Sequence, residues 1–294
     1  APVVHSAPVT APVIAPVDQP DLTLPPLPVK TSPDNFPVGG RTSRYWKNWE
    51  VLGADPWLVN TIRHGYQPDL VTKPKLTRDY RAHECAKSPE KKVSLQKHVD
   101  IMLQKGAIEE VEHPTQPAFF NHLFERPKKS GEMRPILDLS RLNKHILTPH
   151  FKMETVQMFM VALETGDWAT SIDLSDGYFN LKIHKKFRIY LCFVVNGKVY
   201  RFRALPFGLS TAPMVFTRIL GLVSQQAHNR GLLVNRYLDD LLCRAKTKEL
   251  AARVTRFIIL LLEALGFAYN RIKSELEPNQ IITYVGVTYN LLRR

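Results

Sequence analysis

Between residues 232 and 245 the chain reads LLVNRYLDDLLCRA, two apolar runs that meet at a pair of aspartates. Two adjacent charges are too costly to bury unpaired inside so apolar a stretch, so the runs read as the arms of a β-hairpin with Asp239-Asp240 at its turn. A third acid, Asp173, closes another strand pattern, WATSID over residues 168–173. Carboxylates brought to ~4 Å repel by about 4 kcal/mol at an effective dielectric near 20, so their pKa values rise unless a cation sits among them. A small number of hard oxygen ligands suits Mg²⁺, which keeps its other positions for water and phosphates. Two such ions ~3.5 to 4 Å apart can activate a hydroxyl nucleophile and stabilise a pyrophosphate leaving group. Spacing alone accommodates a solvated acidic turn equally well, so the surrounding sequence has to decide.

That surrounding sequence alternates hairpins with helices. FFNHLFERPKKSGEMRPILDLSRLN reads as a hairpin with a basic tip at Lys128 to Gly131, and IYLCFVVNGKVYRFR as another, spanning 189–203 and turning at Asn196-Gly197. Lys87 to Lys105 carries Val93, Leu95, Val99, Ile101, Met102 and Leu103 among charges, an amphipathic helix ending before Gly106. Asp55-Pro56 starts a short helix, Met153 to Leu163 reads as helical, and Ser210-Thr211-Ala212-Pro213 caps a helix that runs to about Ala227. A long helix from Lys248 to Leu265 stops at Gly266, and FAYNRIK and IITYVGVTYN follow as short strands. Helices set between antiparallel hairpins predict an α+β domain.

Ten of the 22 prolines precede residue 41, so residues 1–40 read as a disordered Pro-rich linker. The net charge is +13, and with −2 in that linker, residues 41–294 hold +15. A basic folded region favours a polyanionic partner, nucleic acid above membrane. The longest apolar stretch, Phe257 to Phe267, contains Glu263 and is shorter than the ~20 residues of a spanning helix. Cys85, Cys192 and Cys243 form no Cys-x-x-Cys pair, so neither a zinc module nor a disulfide framework is expected, and an intracellular location is, with nucleus and cytoplasm undecided. The chain opens on Ala1 with no signal-like segment, which suggests a fragment without a secretory leader.

SIDLSDGYFNLKI, RFRALPFGLSTAPMVFTRIL and NRYLDDLLC, in that order, resemble the successive core motifs of retroelement reverse transcriptases. LFERPKKSGEMRPILDLSRLN upstream, and GFAYNRIKSELE with YVGVTYN downstream, extend the likeness from about residue 88 to 290. The resemblance implies a right-hand polymerase fold with an antiparallel palm sheet packed on helices. Its divisions would be an aromatic-rich N-terminal extension over 41–87, fingers with part of the palm over 88–165, and palm over 166–294 ending at a primer-grip hairpin. Arg294 follows that hairpin so soon that the thumb is expected to be missing or truncated.

The same resemblance implies two Mg²⁺ ions, with Mn²⁺ as a substitute, held by Asp173, Asp239 and Asp240 with help from the backbone carbonyl of Leu174. Tyr178 would exclude a ribose 2′-hydroxyl, or else serve simply as a core tyrosine. Arg126 and Lys128 compete for one role in gripping the dNTP triphosphate, and Arg134, Phe207 and Gly208 join them. Lys273 would protonate the leaving pyrophosphate, unless it is a surface lysine. Tyr237, Tyr284 and Gly286 would meet the primer or template, although Gly286 also suits an ordinary turn. The implied partners are an RNA or DNA template with its primer and dNTPs, with RNase H and recombinase or integrase regions elsewhere in a polyprotein. NWEVLGADPWLVNTIRHGY followed by ALPFGLSTAPMVFT is most similar to tyrosine-recombinase (DIRS-type) retrotransposons, with gypsy-type elements as the competitor. A catalytically inactive nucleic-acid-binding remnant or domesticated protein is the alternative function. An RNA-dependent RNA polymerase is disfavoured by Tyr178 and by Tyr-Leu-Asp-Asp at the turn.

Overall fold

A computed structural model describes residues 20–30, 36–128, 131–151 and 163–292. Its centre is a four-stranded antiparallel sheet in the order β7-β8-β4-β9, built from β4 (Trp168–Asp173), β7 (Leu233–Tyr237), β8 (Asp240–Ala245) and β9 (Glu275–Asn279). Alternation along β4 sends Thr170 and Ile172 to one face, where their register partners on β8 are Cys243 and Leu241. Helix α5 (Ala212–His228) and helix α6 (Lys248–Ala264) cover that face. On α6, Val254, Thr255, Phe257, Ile258, Leu261 and Leu262 are buried at helical spacing, and the Thr255 and Thr170 hydroxyls hydrogen-bond at 2.6 Å. The Thr247 side chain caps the start of α6, and Gly266 just past its end has φ +88.

The opposite face of β4 and β8 presents Ala169, Ser171 and Asp173 beside Arg244, Leu242 and Asp240. A C-terminal hairpin, β10 (Ile281–Tyr284) and β11 (Val287–Asn290), packs Ile282, Tyr284 and Tyr289 onto Ala169 and Leu242. This second small core leaves the Asp173 end of the sheet open.

Upstream, the basic hairpin consists of β2 (His122–Pro127) and β3 (Met133–Asp138). It rests on α3 (Pro89–Gln104), whose start the Ser88 side chain caps. The almost fully buried Glu125 carboxylate, 1% exposed, joins the two elements by receiving Lys91 Nζ and His98 Nε2 at 3.0 Å each and the Ser94 hydroxyl. A three-stranded antiparallel sheet of β1 (Ile108–Glu110), β6 (Lys198–Phe202) and β5 (Cys192–Val195) lies beyond it. Farther upstream, α1 (Trp46–Val51) and α2 (Pro56–His64) close over the end of α6, with Trp49 Nε1 donating to the Leu265 carbonyl at 3.0 Å. Asp55 caps α2 through the Leu58 N–H, with Pro56 in the first turn, as the sequence predicts.

Several expectations are corrected. FAYNRIK is not a strand, because the Asn270 side chain accepts the backbone N–H groups of Ile272 and Lys273 and closes a turn. The strand falls later, at Glu275–Asn279. The first arm of the 189–203 hairpin starts only at Cys192, since Lys185–Tyr190 winds into a 3₁₀ helix. Thr211 occupies the N-cap of α5 but supplies no capping hydrogen bond from its side chain. Pro20 to Lys30, expected within a disordered linker, lies extended against the body, with Leu22, Leu24, Leu27 and Val29 packed on the core. The Asn48 side chain receives the Val29 N–H and donates to its carbonyl, both at 2.9 Å. The helix expected at Met153 to Leu163 lies, apart from Leu163, outside the described residues, as does most of the linker.

Candidate active site

The register of the central sheet sets Asp173 directly opposite Asp240. Opposed residues of an antiparallel pair project to the same face with Cβ atoms about 4.5 to 5.5 Å apart, so the two carboxyls share one side of the sheet. Asp239 joins them from the two-residue turn between β7 and β8, where Leu238 takes the left-handed conformation at φ +53. A branched residue there stores strain on the order of 1–3 kcal/mol, and its neighbours hold it in place. The Leu174 N–H donates to the Asp239 carbonyl at 2.9 Å, and the Tyr284 hydroxyl donates to the Asp240 carbonyl at 3.1 Å.

Burial raises the pKa of all three acids above the ordinary carboxylate value. Asp240 moves furthest, to about 6, because the charges of Asp239 and Asp173 add to its desolvation. The Lys273 ammonium pulls all three back down, which sets this exposed lysine beside the cluster. No group of three His, Cys, Asp or Glu side chains among the described residues closes around a point suited to a metal ion. The donor set fits Mg²⁺ nonetheless, since that ion takes one or two carboxylates and completes its shell with water and substrate phosphates.

Tyr178 stands beside the acids on a 3₁₀ turn, Gly177–Asn180, its ring stacked on Phe207 at 4.7 Å and tilted against Phe216 at 5.0 Å. Burial and the neighbouring Asp239 push its hydroxyl up to about 12, so it stays protonated. The exposed Phe207 ring covers Tyr178, which is only 6% exposed, next to the carboxylates. Gly208 follows at φ +93, and a Cβ there would come within 3.3 Å of the Leu137 carbonyl.

The basic residues divide between two places. Arg126 and Arg134 are exposed and directly opposed across β2 and β3, a like-charge pairing that costs stability unless an anion lies between them. Lys128, also exposed, is paired with Glu132 at 2.7 Å. Lys128, Arg134, Phe207 and Gly208 line a cavity of about 550 Å³ between the basic hairpin, α3 and the Tyr178 turn, whereas the three aspartates and Arg126 do not. Among the primer-contact candidates, Gly286 sits at φ +73 in the turn of the C-terminal hairpin, and Tyr237 is half-buried against the second core. Tyr284 is 2% exposed, and its hydroxyl supports Asp240 from below.

Sequence reasoning missed the residues that fix this geometry. The Asp173 N–H donates to Ser274 Oγ at 3.0 Å, and the Asp173 carbonyl accepts the Asn270 N–H at 2.7 Å, so the turn carrying Lys273 is anchored on Asp173 itself. The Asn180 amide donates to the carbonyls of Ser175, Asp176 and Gly177 and ties down the loop below Tyr178. Gly177 is obligatory, because a Cβ there would lie 2.9 Å from the Asp239 Cβ and 3.1 Å from the Phe216 ring. The only advance signal was the run of small and polar residues in SIDLSDGYFN.

Residues 126–289 match the family described as reverse transcriptase (RNA-dependent DNA polymerase). The chain belongs to this family. Similar curated proteins include the enzymatic polyprotein of soybean chlorotic mottle virus, 26% identical over 63% of this chain and 27% of the polyprotein. The Pol polyprotein from transposon opus of Drosophila melanogaster is 23% identical over 79% of this chain and 23% of its own length. The transposon Tf2-3 polyprotein of Schizosaccharomyces pombe is 23% identical over 53% of the chain and 12% of that protein. This reverse transcriptase domain thus spans about a quarter or less of the curated relatives it matches. A solved foamy viral protease-reverse transcriptase in complex with double-stranded DNA has the same fold, with a TM-score of 0.61 at 19% identity over 89% of this chain and 56% of that one. The likeness establishes the expected right-hand polymerase architecture, α+β with antiparallel sheets.

Proposed function

We propose that this domain extends a primer 3′-hydroxyl with dNTPs on an RNA or DNA template. The observation that carries the reading is the register pairing of Asp173 with Asp240 at the open end of the sheet, with Asp239 in the adjoining turn and all three carboxyls raised by burial. Asp173, Asp239 and Asp240, assisted by the Leu174 carbonyl, would hold two Mg²⁺ ions or Mn²⁺ in their place. When bound, these ions supply activation of the hydroxyl and charge stabilisation at the pyrophosphate. Arg126 and Arg134 offer paired guanidinium groups to a triphosphate, which relieves their mutual repulsion. Lys273, within the field of the carboxylates, would give a proton to the departing pyrophosphate. Tyr178 and Phe207 form the surface on which the incoming sugar rests, and the tyrosine excludes a 2′-hydroxyl by contact.

The divisions into N-terminal extension, fingers and palm follow the same reading, as does an intracellular setting, which the three buried, unpaired cysteines fit. We also place the domain among tyrosine-recombinase (DIRS-type) retrotransposons, on the strength of NWEVLGADPWLVNTIRHGY and ALPFGLSTAPMVFT, within a polyprotein that carries RNase H and recombinase regions. Primer extension on an RNA template with Mg²⁺ tests the activity. Wild type should elongate the primer and Asp239→Ala should lose about 10²- to 10³-fold in rate, the scale of a lost electrostatic contribution to the transition state. Equal extension by both proteins would refute it.

A further inference from the structure

Away from the carboxylates, a second set of charges has gathered with too few acids to neutralise it. Lys182 is half-buried, and its pKa is lowered first by that burial and then by Arg188, Lys185 and Arg203. His184 is lowered in the same way, by burial and then by Lys186, His64, Arg188 and Lys182. These groups converge because the backbone of Tyr66, just beyond α2, hydrogen-bonds to both Lys182 and His184 and lays the end of α2 alongside residues 182–184. The cation acting on the catalytic carboxylates is Lys273, so the two sets share no member. The acids facing the patch are already engaged or outnumbered. Glu109 is held by both Arg188 at 3.1 Å and Arg201 at 2.7 Å, and Glu50 shares a groove with Arg63 and His64. The buried Nε of Arg203 has no hydrogen-bond partner.

An aromatic platform borders this patch. The Trp46 ring is half-exposed, with the Arg63 guanidinium 4.2 Å from its centre and the Lys47 ammonium at 5.7 Å. Arg63 is next to His64 in α2, so the tryptophan and the lysine-rich segment flank the same helix end. Concentrated like charge raises the free energy of the fold unless a polyanion arrives, and an aromatic face beside the charge suits a stacked base rather than a lipid headgroup.

We infer that Lys182, His184, Lys185, Lys186 and Arg203, together with Trp46, form a second nucleic-acid surface that takes single-stranded nucleic acid outside the catalytic cleft. The lysines and arginine contact successive phosphates, and Trp46 stacks on a base. The strand is bound by charge and stacking without base readout. This surface works independently of the proposed polymerase chemistry and persists in Asp239→Ala.

The test measures equilibrium binding of a fluorescent single-stranded oligonucleotide of about 20 nucleotides, without Mg²⁺ or dNTPs, over a series of salt concentrations. Lys185→Glu with Lys186→Glu should weaken binding about tenfold and make the log K against log salt slope shallower by about 1.4, the loss of two single-strand phosphate contacts. Trp46→Ala should weaken binding about tenfold while leaving the salt slope intact. Both lysines are exposed, so the milder Lys185→Gln with Lys186→Gln should fold and give an intermediate loss. Unchanged affinity and slope in the lysine variants would overturn the inference. So would retention on phosphatidylserine vesicles by a protein that does not bind the oligonucleotide. Primer extension by the lysine variants on a template with a short overhang should match wild type, so failure of this surface and failure of the catalytic reading are told apart.

Discussion

The Asp240 carboxyl is raised in pKa first by burial and then by the charges of Asp239 and Asp173. It titrates near 6 in the folded chain, against 3.8 for an ordinary aspartate. The folded state therefore binds the proton more tightly, and the stability this confers is present below about pH 3.8 and is lost as pH rises through about 6. A divalent cation needs the deprotonated form, so the stabilisation on adding Mg²⁺ should be small near pH 5 and grow towards pH 7.5, reaching about 2.7 kcal/mol at a hundredfold excess over Kd. Thermal denaturation with and without Mg²⁺ across that range checks this, and a Mg²⁺ effect independent of pH, or one kept by Asp240→Asn, would count against a shared cation site. Tyr178 makes a second prediction at this scale. Replacing it by Val removes the ring stacked on Phe207, so discrimination between dNTP and rNTP should fall about 10- to 100-fold. Tyr178→Phe keeps the ring and should preserve the selectivity. Competitive single-nucleotide incorporation reads both, and unaltered selectivity in the valine variant would remove Tyr178 from this role. The acids were legible in the sequence because charges interrupting apolar strands stand out. Asn180 and Ser274 were not, because a neutral polar side chain leaves no trace of which backbone group it will bind.

Among the elements, the hairpins were legible where alternation and a turn residue coincided, as at Asn196-Gly197, and the helices where caps and apolar spacing agreed, as in α3 and α6. Ile189 and Tyr190 were misread as strand because the short 3₁₀ helix they end, Lys185–Tyr190, shows no period, and the turn at Asn270 because its hydrogen bonds come from one side chain. The contact that sets the basic hairpin on α3 was equally invisible, since Glu125 and its partners Lys91, Ser94 and His98 lie about thirty residues apart. Burial works against ionisation of Glu125, yet the Ser94, Lys91 and His98 contacts together hold its pKa below the usual glutamate value. Glu125→Ala removes this buried anchor and should cost about 3 kcal/mol of stability. It should also loosen β2 and β3 against α3. Because Arg126 and Arg134 ride on that hairpin, KM for dNTP should rise several-fold more than kcat falls, and amide exchange over 122–138 should speed up. Equal exchange rates in mutant and wild type would show that the hairpin is held by other contacts.

For the whole molecule, the question is whether the N-terminal extension is an appendage or part of the folding unit. Its residues Tyr45, Trp49, Leu52, Leu58 and Ile62 belong to the same buried cluster as Ile172, Leu241 and Phe267 around the central sheet. The join is tight at Gly266, where a Cβ would lie 2.5 Å from the Tyr45 ring and 3.0 Å from the Thr42 Cα. It is also polar, with the Asn48 amide donating to the Ala264 carbonyl at 2.8 Å beside the Trp49 bond to Leu265. The extension thereby satisfies carbonyls at the end of α6 that would otherwise be orphaned in the core. Near its start, the Gly40 N–H donates to the Phe179 carbonyl, and the Thr42 hydroxyl to that of Asn180, so the extension also braces the turn that presents Tyr178. Trp49→Ala should therefore lower stability by about 3–5 kcal/mol and shift one cooperative transition. Urea unfolding followed both by tryptophan fluorescence and by far-ultraviolet circular dichroism distinguishes the cases. Coincident curves displaced to lower urea are expected, and primer extension in the folded range should fall as the Tyr178 turn loses its brace. Two separated transitions, with the main one at the wild-type midpoint, would make the extension an independent module and uncouple it from the active site.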